Sequence, residues 1–333
     1  MGYWDRKKVL VTGGGGFIGS HVVERLLASG RGVNITVADH PSPAKRRNLA
    51  AVWKDLRFVS TDLRNSAAAR RVCRGQDVVL NLAACVGGVG YNSVHHGSLF
   101  RDNMILGLNV LEAARRAQVG RFLVVSSACV YPRDCAIPTP EAEGFRDRPE
   151  QANEGYGWAK RMTEYAGKTY AGEFGMSVAI ARPYNAYGPR DHFDPERSHV
   201  IAALVKRACD EEDPVKVWGD GRSTRSFLFV EDIARGILEV AEKYPRADPV
   251  NIGADDEISV RELAEMIIRL AGTGARLSFD LLKPSGQPRR RCDVTKATKE
   301  LGFTARVALP EGLAKTIEWY RAHERGAVEA VRR

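Results

Sequence analysis

The chain has 333 residues, 44% hydrophobic and 27% charged, with a formal net charge of +9. That length and balance exclude a disordered or fibrous chain and suit one large domain with a smaller one attached. The basic residues are spread along the chain and interleaved with acids, which argues against the aromatic-laced stripe of a nucleic-acid surface, whereas a substrate carrying a diphosphate would use the same positive field.

Residues 8–12, Lys-Val-Leu-Val-Thr, form a short apolar run ending in glycines. Residues 17–29 then read as a helix and 33–38 as the next strand. Further buried strands are predicted at 57–60, 77–82, 122–126 and 177–181, with helices at 99–117 and 156–174 between them. Such alternation implies an α/β fold: a doubly wound parallel sheet with helices on both faces. After Tyr187-Gly-Pro189 the pattern changes to helices, short strands and loops rich in Pro, Arg and Gly. The expected division is therefore a Rossmann domain over 1–186 and a smaller α/β substrate lobe over 187–333. Residues 225–230 read as a strand leading into a helix, so 225–250 is expected to return to the first domain. The tail beyond Trp319 is expected to fray.

No stretch reaches the roughly 18 uninterrupted apolar residues of a membrane span, and the first eight residues lack the apolar core of a secretion signal. A cytoplasmic protein without a membrane partner is the expectation. Gly2 meets one requirement of N-myristoylation, but Arg6 stands where that motif wants Ser or Thr. Cys73, Cys85, Cys129, Cys135, Cys209 and Cys292 show neither paired metal spacing nor the density of a disulfide scaffold, so no metal is expected.

Thr12-Gly13-Gly-Gly-Gly16-Phe17-Ile18-Gly19 sets glycines three apart directly after a strand and at the mouth of a helix. A pyrophosphate needs close backbone approach and free amide donors there, so dinucleotide binding is predicted. Asp39 lies about 20 residues on, where a carboxylate can accept from ribose hydroxyls, which favours NAD; it can also serve as a turn residue before Pro41. Lys45, Arg46 and Arg47 follow and are suited to a 2′-phosphate, so NADP stays open. Asp62-Leu63 and Ala83-Ala84, after the third and fourth strands, are expected to flank the adenine and ribose.

Tyr156 and Lys160 are four apart on a helix and face the same way, so the ammonium is expected to lower the phenol pKa from about 10. The resulting phenolate can take a hydroxyl proton as hydride leaves the same carbon. Cys129, in Ser126-Ser127-Ala-Cys129-Val-Tyr-Pro132, and His199 supply different tools, a thiol and an imidazole suited to exchanging protons beside a carbonyl. Each has a plainer reading: Cys129 as a thiol buried at a strand end, His199 as a helix-start residue bonding backbone.

These motifs together resemble the extended short-chain dehydrogenases/reductases that act on nucleotide sugars, within them the branch of GDP-L-fucose synthases and GDP-mannose 3,5-epimerases. The resemblance runs through nearly the whole chain, including Asn153-Glu-Gly-Tyr156, Asn185-Ala-Tyr-Gly-Pro189, Ser198-His-Val-Ile201, Val217-Trp-Gly-Asp-Gly221 and Lys283-Pro-Ser-Gly-Gln-Pro288. It implies Ser127 bonding the sugar oxygen, Tyr156 as acid/base, Lys160 holding the nicotinamide ribose, and Cys129 with His199 as the epimerising pair. It implies nucleotide-sugar contacts for Asn185, Arg207, Arg225, Lys283 and Arg290; guanidinium forks suit phosphate oxygens. It also implies a homodimer paired through the helices at 99–117 and 156–174. The cofactor loop and Asp39 resemble NAD-holding epimerases, while residues 187–199 resemble the NADPH-consuming synthases and lack the lysine that the 3,5-epimerases place there. Three functions follow as alternatives: a redox-neutral epimerase, a synthase-type epimerase/reductase, and a non-catalytic dinucleotide-binding regulator.

Overall fold

The computed structural model describes residues 2–194, 198–283 and 287–325. The first half alternates strand and helix: β1 (Lys8–Thr12), α1 (Phe17–Ser29), β2 (Asn34–Asp39), α2 (Pro43–Asn48), β3 (Leu56–Ser60), α3 (Ser66–Cys73) and β4 (Val78–Asn81). There follow α4 (Val89–Asn92), α5 (His96–Arg116), β5 (Arg121–Val125), α6 (Glu154–Phe174) and β6 (Val178–Pro183). The later elements are β7 (Ala186–Tyr187), α7 (Val200–Cys209), β8 (Val215–Trp218), β9 (Thr224–Arg225), β10 (Leu228–Phe229), α8 (Val230–Lys243) and β11 (Pro249–Ile252). The chain continues through β12 (Ile258–Ser259), α9 (Val260–Ala271), β13 (Leu277–Asp280), β14 (Arg289–Arg290), α10 (Thr295–Leu301) and α11 (Leu309–Tyr320).

Seven strands form one parallel sheet in the order β11-β6-β5-β4-β1-β2-β3. This is the doubly wound fold expected from the alternation of strands and helices. Because both faces are covered, the strands read as apolar runs and not as alternating ones. Val9, Val11, Val37, Leu80 and Leu123 pack on one face in the same core as residues of α1 and α8. Leu10, Ala38, Val79, Phe122 and Ile180 pack on the other, with residues of α3, α5 and α6. A separate core joins α7, α9, α11 and β8 through Ile201, Val205, Val217, Leu263, Ile267 and Leu313.

Local sequence fixes the helix ends. Asn65 caps α3 by accepting from the amides of Ala67 and Ala68, and Ser259 with Glu262 forms a reciprocal capping box on α9. Gly175 ends α6 with φ +66°, the left-handed conformation that glycine adopts without penalty.

Two expectations change. The single strand expected over 225–230 is two short ones: β9 pairs with β12 and β14, whereas β10 pairs with β7, and Val230 already begins α8. The tail does not fray immediately after Trp319. A helical turn continues over Arg321–Arg325, where Arg321 donates to the Ala271 carbonyl at 2.5 Å, His323 stacks on Trp319 and Glu324 pairs with Arg47 at 2.5 Å. Residues 326–333 lie outside the described residues.

Candidate active site

Strand order reverses between β1 and β4, and in open sheets of this kind a crevice forms there, outside the carboxyl ends of the strands. A cleft of about 800 Å³ is lined from there across to α7, β8 and β14. Gly13, Gly16, Phe17, Ile18 and Gly19 border it at the first turn. Gly13 has φ +68°, and a Cβ there would lie 2.8 Å from the Ala83 Cα, so only glycine fits. The Ala83 amide donates to Thr12 Oγ1 at 3.1 Å, which in turn donates to Asn81 at 2.7 Å, locking the ends of β1 and β4 together. Gly16 begins α1 with no side-chain cap, leaving the first-turn amides to a ligand. A dinucleotide pyrophosphate fits this cradle.

Asp39 ends β2 buried in the cleft wall. Its Oδ2 accepts from the Gly15 amide at 3.0 Å, its Oδ1 accepts from the His40 amide at 2.7 Å, and Lys45 pairs with Oδ1. Arg46 lies over the Trp53 ring and Arg47 pairs with Glu324. Asp62 and Leu63 border the cleft, Asp62 bonded to Arg64 at 2.8 Å, which holds its carboxyl below the usual range.

The reactive residues meet at the centre. Ser127 caps a short 3₁₀ turn, Ala128–Val130, its Oγ accepting from the Cys129 amide at 3.1 Å. Arg161 donates to the Val130 carbonyl at 2.8 Å and Arg290 donates to the Ala128 carbonyl, so two guanidinium groups clamp the turn carrying Cys129. A Cβ at Gly157 would strike the Cys129 carbonyl; glycine there lets α6 press Tyr156 against the same turn.

Lys160 Nζ donates to the Val125 carbonyl at 2.8 Å and lies 5.5 Å from the centre of the Tyr156 ring. The expected depression of the phenol pKa does not arise in this arrangement. Burial, reinforced by the charge of Cys129, raises Tyr156 above the ordinary phenol value against the opposing Ser127 bond. Burial likewise lowers Lys160, to about 8.

His199 is the residue before α7 and does not bond that helix's backbone through its ring. Half-exposed on the cleft, it places Nδ1 3.7 Å from Asp191 Oδ1. Burial works against its charged form, yet the Asp191 interaction outweighs it and the imidazole is raised above its usual value. The other Asp191 oxygen is buried with no hydrogen-bond partner among the described residues.

Asn185, Arg207, Arg225 and Arg290 all border the cleft. Asn185, at φ +35°, donates to the Ser226 carbonyl at 2.8 Å, and Arg207 donates to the Lys216 carbonyl. Burial and then the nearby Arg290 charge lower Arg225 to about 10; two adjacent guanidinium groups in a cleft suit a polyanion. Lys283 is not brought in. It is exposed, with Nζ 5.6 Å over the ring of Trp218, which itself lines the cleft. Pro284–Gly286 of that motif, and residues 195–197 of the 187–199 stretch, lie outside the described residues.

The structure adds Asp191 and a buried network beneath Ser127. In that network Arg182 forks onto Glu164 at 2.7 and 2.8 Å and donates to Tyr131 Oη at 2.9 Å, while Ser126 donates to Glu164 at 2.5 Å.

A family model described as NAD dependent epimerase/dehydratase family matches residues 9–253. The chain belongs to this family. Among its relatives, GDP-mannose 3,5-epimerase 1 of Oryza sativa subsp. japonica is 33% identical over 325 residues, covering 96% of this chain and 83% of the relative. GDP-L-fucose synthase 1 of Arabidopsis thaliana is 31% identical over 319 residues, covering 94% of this chain and 93% of the relative. The solved structure of a dTDP-glucose 4,6-dehydratase, DesIV from Streptomyces venezuelae with NAD bound, superposes with a TM-score of 0.84 at 31% identity and covers 96% of this chain and 98% of its own. The glycine cradle and Asp39 both lie within the residues that this family model matches. Among the described residues no helix is long and apolar enough to cross a membrane.

Proposed function

We propose that this chain is an NAD-dependent epimerase of nucleotide-linked hexoses, GDP-linked by preference, working through a transient 4-keto sugar. The observation that carries this reading is the convergence of Ser127, Tyr156, Lys160, Cys129 and His199 on one cleft that also holds Arg225 and Arg290. NAD, when bound, would supply the hydride acceptor, and Gly13, Gly16, Phe17, Ile18, Gly19 and Asp39 would hold it. Ser127 and Tyr156 grip the sugar hydroxyl, and Tyr156, whose phenolate the positive charge of an oxidised nicotinamide would favour, takes its proton as C4 is oxidised. The ketone so formed acidifies the hydrogens on C3 and C5. Cys129 removes one as base, and His199, its imidazolium favoured by Asp191, returns a proton to the opposite face. An epimerase of this kind would be redox-neutral, with the cofactor restored at the end of each turnover. Arg207, Arg225 and Arg290 neutralise the diphosphate, and Asn185 orients the sugar.

A second reading is synthase-type chemistry, epimerising an already oxidised 4-keto-6-deoxy sugar and reducing it with NADPH. Residues 187–199 favour it by resemblance, and so does the pairing of Asp39 with a cation. The intact Ser127, Tyr156 and Lys160 set speaks against a non-catalytic regulator. A homodimer is supported by the exposed Phe100, Ile105 and Leu108 on α5 and Tyr165 and Phe174 on α6, an apolar surface on two helices packed side by side.

Incubation with GDP-mannose in heavy water tests the proposal. Deuterium is expected at C3 or C5, with Cys129→Ser and His199→Asn each losing uptake at one or both carbons while retaining bound dinucleotide. Absence of label from every GDP-hexose, or equal loss of bound NAD in the variants, overturns it. NADPH oxidation dependent on a 4-keto-6-deoxy sugar selects the second reading.

A further inference from the structure

Strand β7 delivers the chain from Tyr187, paired with Phe229, into a turn at Pro189 and Arg190. That turn is fastened to α1 at both residues. His21 Nε2 donates to the Pro189 carbonyl at 3.1 Å, and Arg190 Nη2 pairs with Glu24 Oε1 at 2.6 Å. His21 and Glu24 are three apart and share one face of the helix. Burial lowers His21 to about 4, so at neutral pH it stays the neutral donor that a carbonyl needs. Arg190 takes φ +70°, a left-handed conformation that costs a non-glycine residue free energy and persists where its surroundings hold it. Its Nη1 is buried with no hydrogen-bond partner among the described residues, so the pair with Glu24 is what secures the guanidinium.

The next residue is Asp191. Its amide donates to the Gly188 carbonyl at 3.4 Å and its Oδ1 accepts from the His192 amide at 2.7 Å, so backbone bonds set this side chain once the turn is set. Oδ1 then faces His199 Nδ1 at 3.7 Å. His199 starts α7, which belongs to the second core, whereas α1 belongs to the first. The distance between carboxylate and imidazole therefore depends on where α1 holds the turn. At 3.7 Å the pair has little slack, and a small displacement of the turn weakens it.

We infer that Arg190 and His21 are positioning residues for proton return: by fastening the turn to the cofactor helix they keep the Asp191 carboxylate against His199. Because α1 opens at the glycine cradle, one helix sets both the dinucleotide site and the carboxylate that favours the imidazolium. The part given to His199 rests on the function proposed above, but the placement of Asp191 does not.

The test follows His199 by NMR in the full-length protein carrying isotope-labelled histidine, with no sugar present and the signal assigned by its loss in His199→Asn. His21→Leu removes the donor to Pro189 without changing charge at neutral pH, and Arg190→Met frees the turn from Glu24. Each should weaken proton binding at His199 by about threefold or more, while NADH binding, read by nicotinamide fluorescence, moves less than about threefold. The sign is diagnostic in Arg190→Met: loss of a cation by charge alone strengthens proton binding at a nearby imidazole, whereas loss of position weakens it. Asp191→Asn should weaken it at least as much, and adding Arg190→Met to Asp191→Asn should bring no further fall. Arg190→Lys should keep the wild-type titration. An unchanged or strengthened His199 in either His21→Leu or Arg190→Met, an Asp191→Asn without effect, a further fall in the double variant, or NADH weakened as much as the proton overturns the inference. Deuterium uptake from GDP-mannose is a separate readout. Absence of label with the expected titration refutes the sugar chemistry and leaves the clamp standing, and label with an unresponsive His199 refutes the clamp alone.

Discussion

Replacing Glu164 with Gln strikes the buried charge on which the reactive turn sits. Arg182 is 1% and Glu164 0% exposed, and the guanidinium spends two of its bonds on that carboxylate. The remaining bonds run to Tyr131 Oη and, at 2.7 Å, to the Glu141 carbonyl; neither carries a charge to offset Arg182. The substituted amide would offer one acceptor where two oxygens served Arg182 and Ser126, and would turn an NH₂ donor against another donor. Removing one partner of such a pair costs about 3–5 kcal/mol, because the other charge stays buried. Adding Arg182→Met removes that uncompensated charge, so the double variant should cost about 2–3 kcal/mol less than the two single losses added together. Equilibrium unfolding in guanidinium chloride, followed by tryptophan fluorescence with m-values compared across the four proteins, measures both quantities. A single-variant loss below about 1 kcal/mol, or strict additivity in the double, would refute the account. Turnover of the proposed sugar substrate should fall in Glu164→Gln as well, since that carboxylate anchors Ser126, the neighbour of Ser127.

Two further predictions concern pH. Burial, helped by the Arg190 charge and opposed by a bond to the Pro189 carbonyl, lowers buried His21 to about 4 from 6.5. The unfolded chain then binds a proton that the folded one refuses, so stability falls by about 3 kcal/mol as pH drops from 6.5 to 4. His21→Gln should flatten that fall in denaturant midpoints, and an unaltered slope counts against it. Lys160, lowered from 10.5 to about 8 mainly by burial, has the same sign in another window: its charged form is penalised at neutral pH, and the penalty lifts between pH 8 and 10.5. Wild-type stability measured against Lys160→Met should therefore improve by about 3 kcal/mol across that window, while the variant loses hydride transfer at every pH; a constant gap contradicts the assignment.

The sheet was legible because its strands are short apolar runs and its helix ends carry local signals such as Gly175. The cradle was legible for the same reason, since Gly13 and Gly16 act within one turn. Tyr156 and Lys160 needed only a helical repeat. What the sequence hid depends on partners far along the chain. Residues 224–229 split into two strands because the pairing segments come from 186–187, 258–259 and 289–290. Asp191 reaches His199 with no periodic spacing between them in the sequence. Lys283 is drawn to Trp218, a contact that motif resemblance does not encode. The Glu164–Arg182 pair did leave a trace: Arg182 interrupts an otherwise apolar strand, and a buried charge demands a partner, for which Glu164, four residues past Lys160, is on the right helix face.

The support of the reactive groups divides them unequally. Cys129, Ser127 and Tyr156 share one foundation, the 3₁₀ turn clamped by Arg161 and Arg290, pressed by α6 at Gly157 and floored by Glu164 and Arg182. His199 belongs to another, at the start of a helix that packs with α9 and α11 in the second core. On the mechanism proposed above, a disturbance beneath the turn is expected to move the thiol and the phenol together and to slow oxidation and proton removal in step, whereas one in the second core is expected to shift the imidazole and leave hydride transfer intact. The face that returns the proton, and with it the configuration of the product, would then be set where the two cores meet across the cleft.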